Sequence, residues 1–239
     1  MNDVIRARLD HAVDRAADKL AEVKPKLRGW LHLATAPLAL VAGIVLIVLS
    51  PTTTTRIGSA IFVGSAVVLF TVSAIYHRGT WSPRTWAFLR RFDHSNIFVL
   101  IAGSYTPFAL LFLEGTDRTL LLTLVWSGAI LGVLFRVFWA GAPRWLYTPI
   151  YIALGWAAVF FIPDFARGAA NFSPGVGVAV LVLVASGGLL YTLGGVVYGF
   201  KRPDPSPTWF GFHEVFHSFT ILAFATHYVG VSLATYSLR

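Results

Sequence analysis

Seven apolar runs, separated by short polar breaks, dominate the chain and fall near 30–50, 57–77, 94–113, 119–140, 146–163, 174–198 and 213–235. Each approaches the ~20 residues that a helix needs to cross a bilayer. The pattern predicts an all-α integral membrane protein, a seven-transmembrane helix bundle forming one membrane domain over residues 30–239. The fifth run is short and is bounded by Pro149 and Pro163. Pro107 is expected to kink the third span. Gly188, Gly195 and Gly199 place small residues on or near one face of the sixth, which suits close helix packing. Ahead of these runs lies the one long polar segment, residues 1–29. In it Ile5, Leu9, Val13, Ala16, Leu20 and Val23 recur at steps of three and four. That spacing predicts an amphipathic helix ending before Pro25. The segment has no apolar core of the kind a cleavable signal peptide carries.

Composition agrees. Of the 239 residues, 56% are hydrophobic and 13% charged, whereas soluble domains run nearer ~25% charged. A net charge of +8 does not imply nucleic acid here, because in a multispan protein the placement of charge matters more than its sum. Fifteen of the nineteen Lys and Arg fall in the N-terminal segment or around the breaks after the second, fourth and sixth spans. The positive-inside bias therefore predicts a cytoplasmic N-terminus and an external C-terminus, in the inner (cytoplasmic) membrane. Trp30, Trp81, Trp86, Trp139, Trp145 and Trp209 all fall at the same predicted border, where interfacial anchors belong.

The ionisable residues then acquire depths. His213 and His217 open the seventh span four residues apart, which on a helix sets them about 40° apart and ~6 Å along the axis, the pair spacing that grips a divalent metal. His77 closes the second span, with Ser73 one turn deeper on the same face, and Asp93 opens the third. All of these lie toward the cytoplasmic side. Taken singly, each has an ordinary explanation: His77 as an interfacial helix-end histidine, Asp93 as a helix N-cap, Ser73 as a packing hydroxyl. Convergence of three helices at one level marks a metal site instead, since ionisable groups inside a membrane are costly and usually functional. With no cysteine in the chain, the ligands must be His, Asp or Glu. His227 lies 14 residues beyond His213, about 21 Å along the helix, and cannot share that metal. His32 and His94 stay unassigned, His94 as packing or support.

Several stretches resemble the bacterial hemolysin III proteins, of the progestin and adipoQ receptor (PAQR) family and the superfamily that includes alkaline ceramidases. They are Ser73-x3-His77, Arg91-Phe-Asp93-His94-Ser95 followed by Ile101-Ala-Gly-Ser-Tyr-Thr-Pro-Phe, Gly187-Gly-Leu-Leu-Tyr-Thr-Leu-Gly-Gly, and a Pro-rich loop into His213-Glu-Val-Phe-His217. The resemblance covers nearly everything after residue 29. It implies a zinc ion near the cytoplasmic face held by His77, His213 and His217, with Asp93 contacting the zinc-bound water and Ser73 supporting the site. The chain departs from the family pattern before His32. Lys26-Leu-Arg-Gly-Trp-Leu stands where many bacterial members carry Glu and Asn.

Three imidazoles leave one tetrahedral position of zinc open, the catalytic rather than the closed arrangement. At the inner headgroup boundary such a site meets the amide or ester of a membrane lipid. The expectation is a zinc-dependent, ceramidase-like lipid hydrolase. The alternatives are a non-catalytic sensor or receptor-like protein with structural zinc, and cytolytic activity. A zincin reading of His213-Glu214-x-x-His217 lacks a third ligand downstream. A retinal protein would need a lysine inside a span, and Lys19, Lys24, Lys26 and Lys201 all lie outside.

Overall fold

The computed structural model describes residues 25–239, which are helical with no β-strand among them. The expected amphipathic helix of the N-terminal segment lies outside the described residues. The helices are α1 (Trp30–Leu49), α2 (Thr53–Arg78), α3 (Pro83–Phe112), α4 (Gly115–Phe138), α5 (Arg144–Gly155), α6 (Ile162–Ala169), α7 (Pro174–Phe200) and α8 (Phe212–Tyr236). A 3-10 turn, Ala157–Phe161, links α5 to α6, and together these form one span, Arg144–Ala169. Seven spans are therefore long and apolar enough to cross a membrane.

Two spans differ from the sequence expectation in instructive ways. α3 begins at Pro83 rather than near 94, because Ser82 caps it, its Oγ accepting the Thr85 N–H at 3.3 Å, and Pro83 occupies the first helical position. Asp93 thus lies about three turns inside α3 and is no N-cap. α3 then continues through Pro107 to Phe112. The fifth span is longer than expected and broken, at Gly155–Trp156 rather than at Pro149. Tyr105 of α3 makes the break tolerable. Its hydroxyl accepts the Ala158 N–H at 3.0 Å and donates to the Gly155 carbonyl, pairing backbone groups that lipid would leave unmet.

α8 sits centrally, touching α1, α2, α3 and α7. Its approach to α7 depends on glycines next to those expected, while the expected Gly195 and Gly199 pack toward α5, a Cβ at Gly195 lying 3.3 Å from Ile152. A Cβ at Gly187 would lie 2.3 Å from the His227 ring and one at Gly194 2.9 Å from Phe219, whereas a Cβ at Gly188 would meet nothing within 4 Å. Gly188 instead borders an internal cavity.

Side-chain contacts distinguish the two ends of the bundle. At one, Lys26 lies over Trp209, Arg78 over Trp30 and Arg90 over Trp86, at 4.1, 4.1 and 5.3 Å. At the other, Arg56 and Arg239 bond the carbonyls of Ser50 and Leu49, and Arg167 pairs with Asp117 and Asp164. Given the strongly basic composition of the first end, a reporter active only in the cytoplasm should work when fused at residue 1 and fail at residue 239. Equal activity at both positions would overturn the orientation.

Candidate metal centre

His77, the penultimate residue of α2, sits where that helix ends at Gly79. The chain entering α1 crosses directly against it. Gly29 adopts the left-handed conformation (φ 83°), and a Cβ there would stand 2.8 Å from the His77 Cβ. Only glycine fits both the dihedral and the space. His213 and His217 come from the first two turns of α8, whose start is fixed by carboxylates. Glu214 Oε2 accepts the Gly211 N–H at 2.8 Å and Asp204 Oδ1 accepts the Phe212 N–H at 2.7 Å. Glu214 is fully buried and its other oxygen pairs with Arg28. Both of its oxygens are thus committed, and the zincin arrangement does not form.

The three rings converge. His77 Nε2 and His213 Nε2 are 3.2 Å apart, and one ligand nitrogen from each of His77, His213 and His217 lies within 4.8 Å of the others. Two nitrogens bound to one tetrahedral zinc at 2.0–2.1 Å would stand ~3.3 Å apart, so the separation suits a shared ion. This triad can hold a metal.

Asp93 reaches the same place from α3. Its Oδ2 is 3.8 Å from His77 Nε2, beyond hydrogen-bonding distance, and Ser73 lies near enough to act on its carboxylate. The structure therefore gathers the five singled-out residues, His77, His213, His217, Asp93 and Ser73, at one end of the bundle.

The remaining histidines separate cleanly. His94 Nδ1 bonds the Arg90 carbonyl at 2.7 Å. That oxygen can only accept, so Nδ1 carries the proton and Nε2 accepts from the Tyr198 hydroxyl at 3.2 Å. Both nitrogens of His94 are thereby engaged outside the triad, though its Nδ1 lies 3.8 Å from Asp93 Oδ2. His227 Nε2 donates to Val184 O at 3.2 Å, far from the site. His32 is the residue that spacing alone leaves without a role. It stacks on His217, centroids 3.8 Å apart and planes 15° from parallel, with Phe70 edge-on at 5.0 Å. Neither of its nitrogens has a partner.

A cavity of about 460 Å³ opens from the triad, its near wall including His32, Ser73, Asp93, His213 and His217. It runs between α3, α7 and the broken span to Phe165 of α6. Trp156 and Ile162 on one side and Leu189 on the other belong to its wall and are exposed on the flank of the bundle.

A family model described as haemolysin-III related matches residues 20–228. The chain belongs to the haemolysin III family. Among curated relatives, it is 35% identical to the hemolysin-3 homolog of Bacillus subtilis (strain 168) over 161 residues, 67% of this chain and 69% of that one. It is 30% identical to hemolysin-3 of Bacillus cereus over 168 residues, 66% of this chain and 70% of that one. The haemolysin III protein described here is thus a multi-pass membrane protein with a buried histidine triad.

Metal analysis of purified variants checks the triad. His77→Ala and His217→Ala should lose the bound metal, and His227→Ala should retain it. Gly29→Ala, which displaces His77 without removing a ligand, should weaken metal affinity about 10-fold. Loss of metal in the His227 variant with retention in the His77 variant would show the ligand set to be wrong.

Proposed function

We propose that this protein is a zinc-dependent hydrolase of the cytoplasmic membrane that cleaves the amide or ester bond of an acyl lipid at the inner headgroup boundary. The observation that carries the reading is the apolar cavity with His213, His217, Asp93 and Ser73 in its wall. A catalytic metal site needs an open position facing its substrate, and a structural site closes it. The donor set fits zinc, because three imidazoles in a chain without cysteine supply nitrogen ligands at a tetrahedral spacing. Zinc held by His77, His213 and His217 would supply Lewis acidity toward the acyl carbonyl and make water a usable nucleophile near neutral pH.

The chain's own groups do the rest. Asp93 takes the proton from the attacking water and returns it to the leaving amine or alkoxide. Ser73, beside that carboxylate, is placed to donate to it and orient it for both transfers. His32, stacked on His217, restrains the ring that faces the cavity. The cavity takes the acyl chain. Its volume lies within the range of small-molecule sites, and its exposed flank between the broken span and α7 lets a tail enter from the bilayer without crossing water. The metal end, rich in Lys and Arg, faces the cytoplasm. The rival reading is a lipid sensor with structural metal, or lysis of the kind the relatives' names carry. Contact of Asp93 with the cavity favours hydrolysis.

Asp93→Asn should keep its metal yet lower fatty-acid release from a panel of ceramides, other N-acyl lipids and glycerolipid esters by about 100-fold or more. Glu214→Gln should act mildly, through the start of α8. The assay is fatty-acid release in liposomes with metal content measured on the same samples. Metal-loaded wild type that releases nothing from any lipid would leave the sensor reading standing, and an inactive Glu214→Gln beside an active Asp93→Asn would reverse the assignment of the base.

A further inference from the structure

Arg136 is the largest fully buried side chain among the described residues, 1% exposed in the last turn of α4. Its Nε and Nη1 have no hydrogen-bond partner among the described residues, and no described carboxylate pairs with it. Eight residues on, Arg144 opens α5, half-buried and with its own Nη1 buried and unpartnered. The two guanidinium groups bracket one pair of tyrosines. Arg136 stands 4.3 Å over the Tyr147 ring and Arg144 5.0 Å over the Tyr198 ring, and the two phenol oxygens are 3.1 Å apart. Thr148, next on α5, contributes another buried hydroxyl without a partner. The helix start itself is uncapped by any side chain, since Pro143 holds the cap position.

A buried guanidinium requires a counter-charge, and a cation–π contact offsets only part of its lost hydration. The described carboxylates at this end of the bundle are engaged elsewhere. Asp93 faces His77 and Ser73, Glu214 pairs with Arg28, and Asp204 caps α8. Two forked cations, one of them at an open helix N-terminus, thus flank one tyrosine pair with no described carboxylate beside them. We propose that Arg136, Arg144 and the start of α5 form a binding site for a phosphate group, taken from the headgroup of an anionic phospholipid or from free phosphate. Basic recesses between spans at a headgroup boundary are suited to such groups. The occupant would lie beside Tyr198, which borders the cavity and packs on His213 with ring centroids 5.8 Å apart. It would therefore stand next to the metal centre. The inference holds whether or not the metal centre is catalytic.

The test uses the full chain, delipidated in an uncharged glycoside detergent and phosphate-free buffer. Thermal unfolding is followed with phosphatidylglycerol, with diacylglycerol, with inorganic phosphate, and with chloride at matched ionic strength. Phosphatidylglycerol or phosphate should raise Tm by about 5 °C, and diacylglycerol and chloride should not. Protection by the lipid at zero phosphate assigns the headgroup as the source, and protection by phosphate alone assigns the free anion. Arg136→Met, which keeps side-chain length without charge, and Arg144→Gln, at a half-buried position, should each remove the shift. Arg84→Gln, an exposed arginine at the same end, should preserve it. The absence of protection by both phosphate-bearing additives overturns the proposal, as does a shift that survives in both the Arg136 and Arg144 variants, since that is general surface charge.

Discussion

Three imidazole rings converge inside an otherwise apolar bundle, and that convergence organises one end of this protein. His77 and His213 share a single close N···N contact, and His217 Nδ1 has no partner. In a hydrocarbon surround an unmet nitrogen such as His217 Nδ1 is expensive. A cation bound by all three would resolve that cost, and the ligand nitrogens of the three rings, carried by helices from distant parts of the chain, already lie within 4.8 Å of one another.

The surrounding structure supplies that register. Glu214, Asp204 and Arg28 together fix where α8 begins, and hence the height of the histidine pair. A buried ion pair such as Arg28–Glu214 is weak evidence for stability, but it specifies position well. Gly29 lets the entering chain lie against His77, and His32 closes the face of His217. On the far side the fifth span breaks where Tyr105 can bond the freed backbone. That break leaves a cavity which a continuous, tightly packed helix would fill. Metal end and cavity are therefore consequences of one packing scheme, with α8 at its centre.

Much of this was legible in the sequence because membrane-spanning helices make depth readable. Once the seven apolar runs were placed, His77, Asp93, His213 and His217 fell at one level, and the structure brings them together. What escaped was lateral rather than vertical. Spacing along α1 gives the height of His32 but not that its ring lies flat on His217. The beginning of α3 was set too late because the polar turns before Asp93 lie outside the apolar window, although Ser82-Pro83 is a sound helix start. In α7 Gly187 and Gly194 meet α8 while Gly195 and Gly199 meet α5, since a run of adjacent glycines does not say which helix each one faces. Arg136 carried no signal beyond its charge. Its burial becomes visible only when Tyr147 arrives over it from α5.

The proposed function needs a metal bound by three imidazoles at the head of the cavity, and X-ray absorption at the metal edge of the purified protein reads that coordination directly. The expected result is zinc, with a first shell of about four light-atom ligands at ~2.0–2.1 Å and the outer scattering of imidazole rings. A protein that purifies without metal, or a shell of oxygen ligands without imidazole scattering, would contradict it.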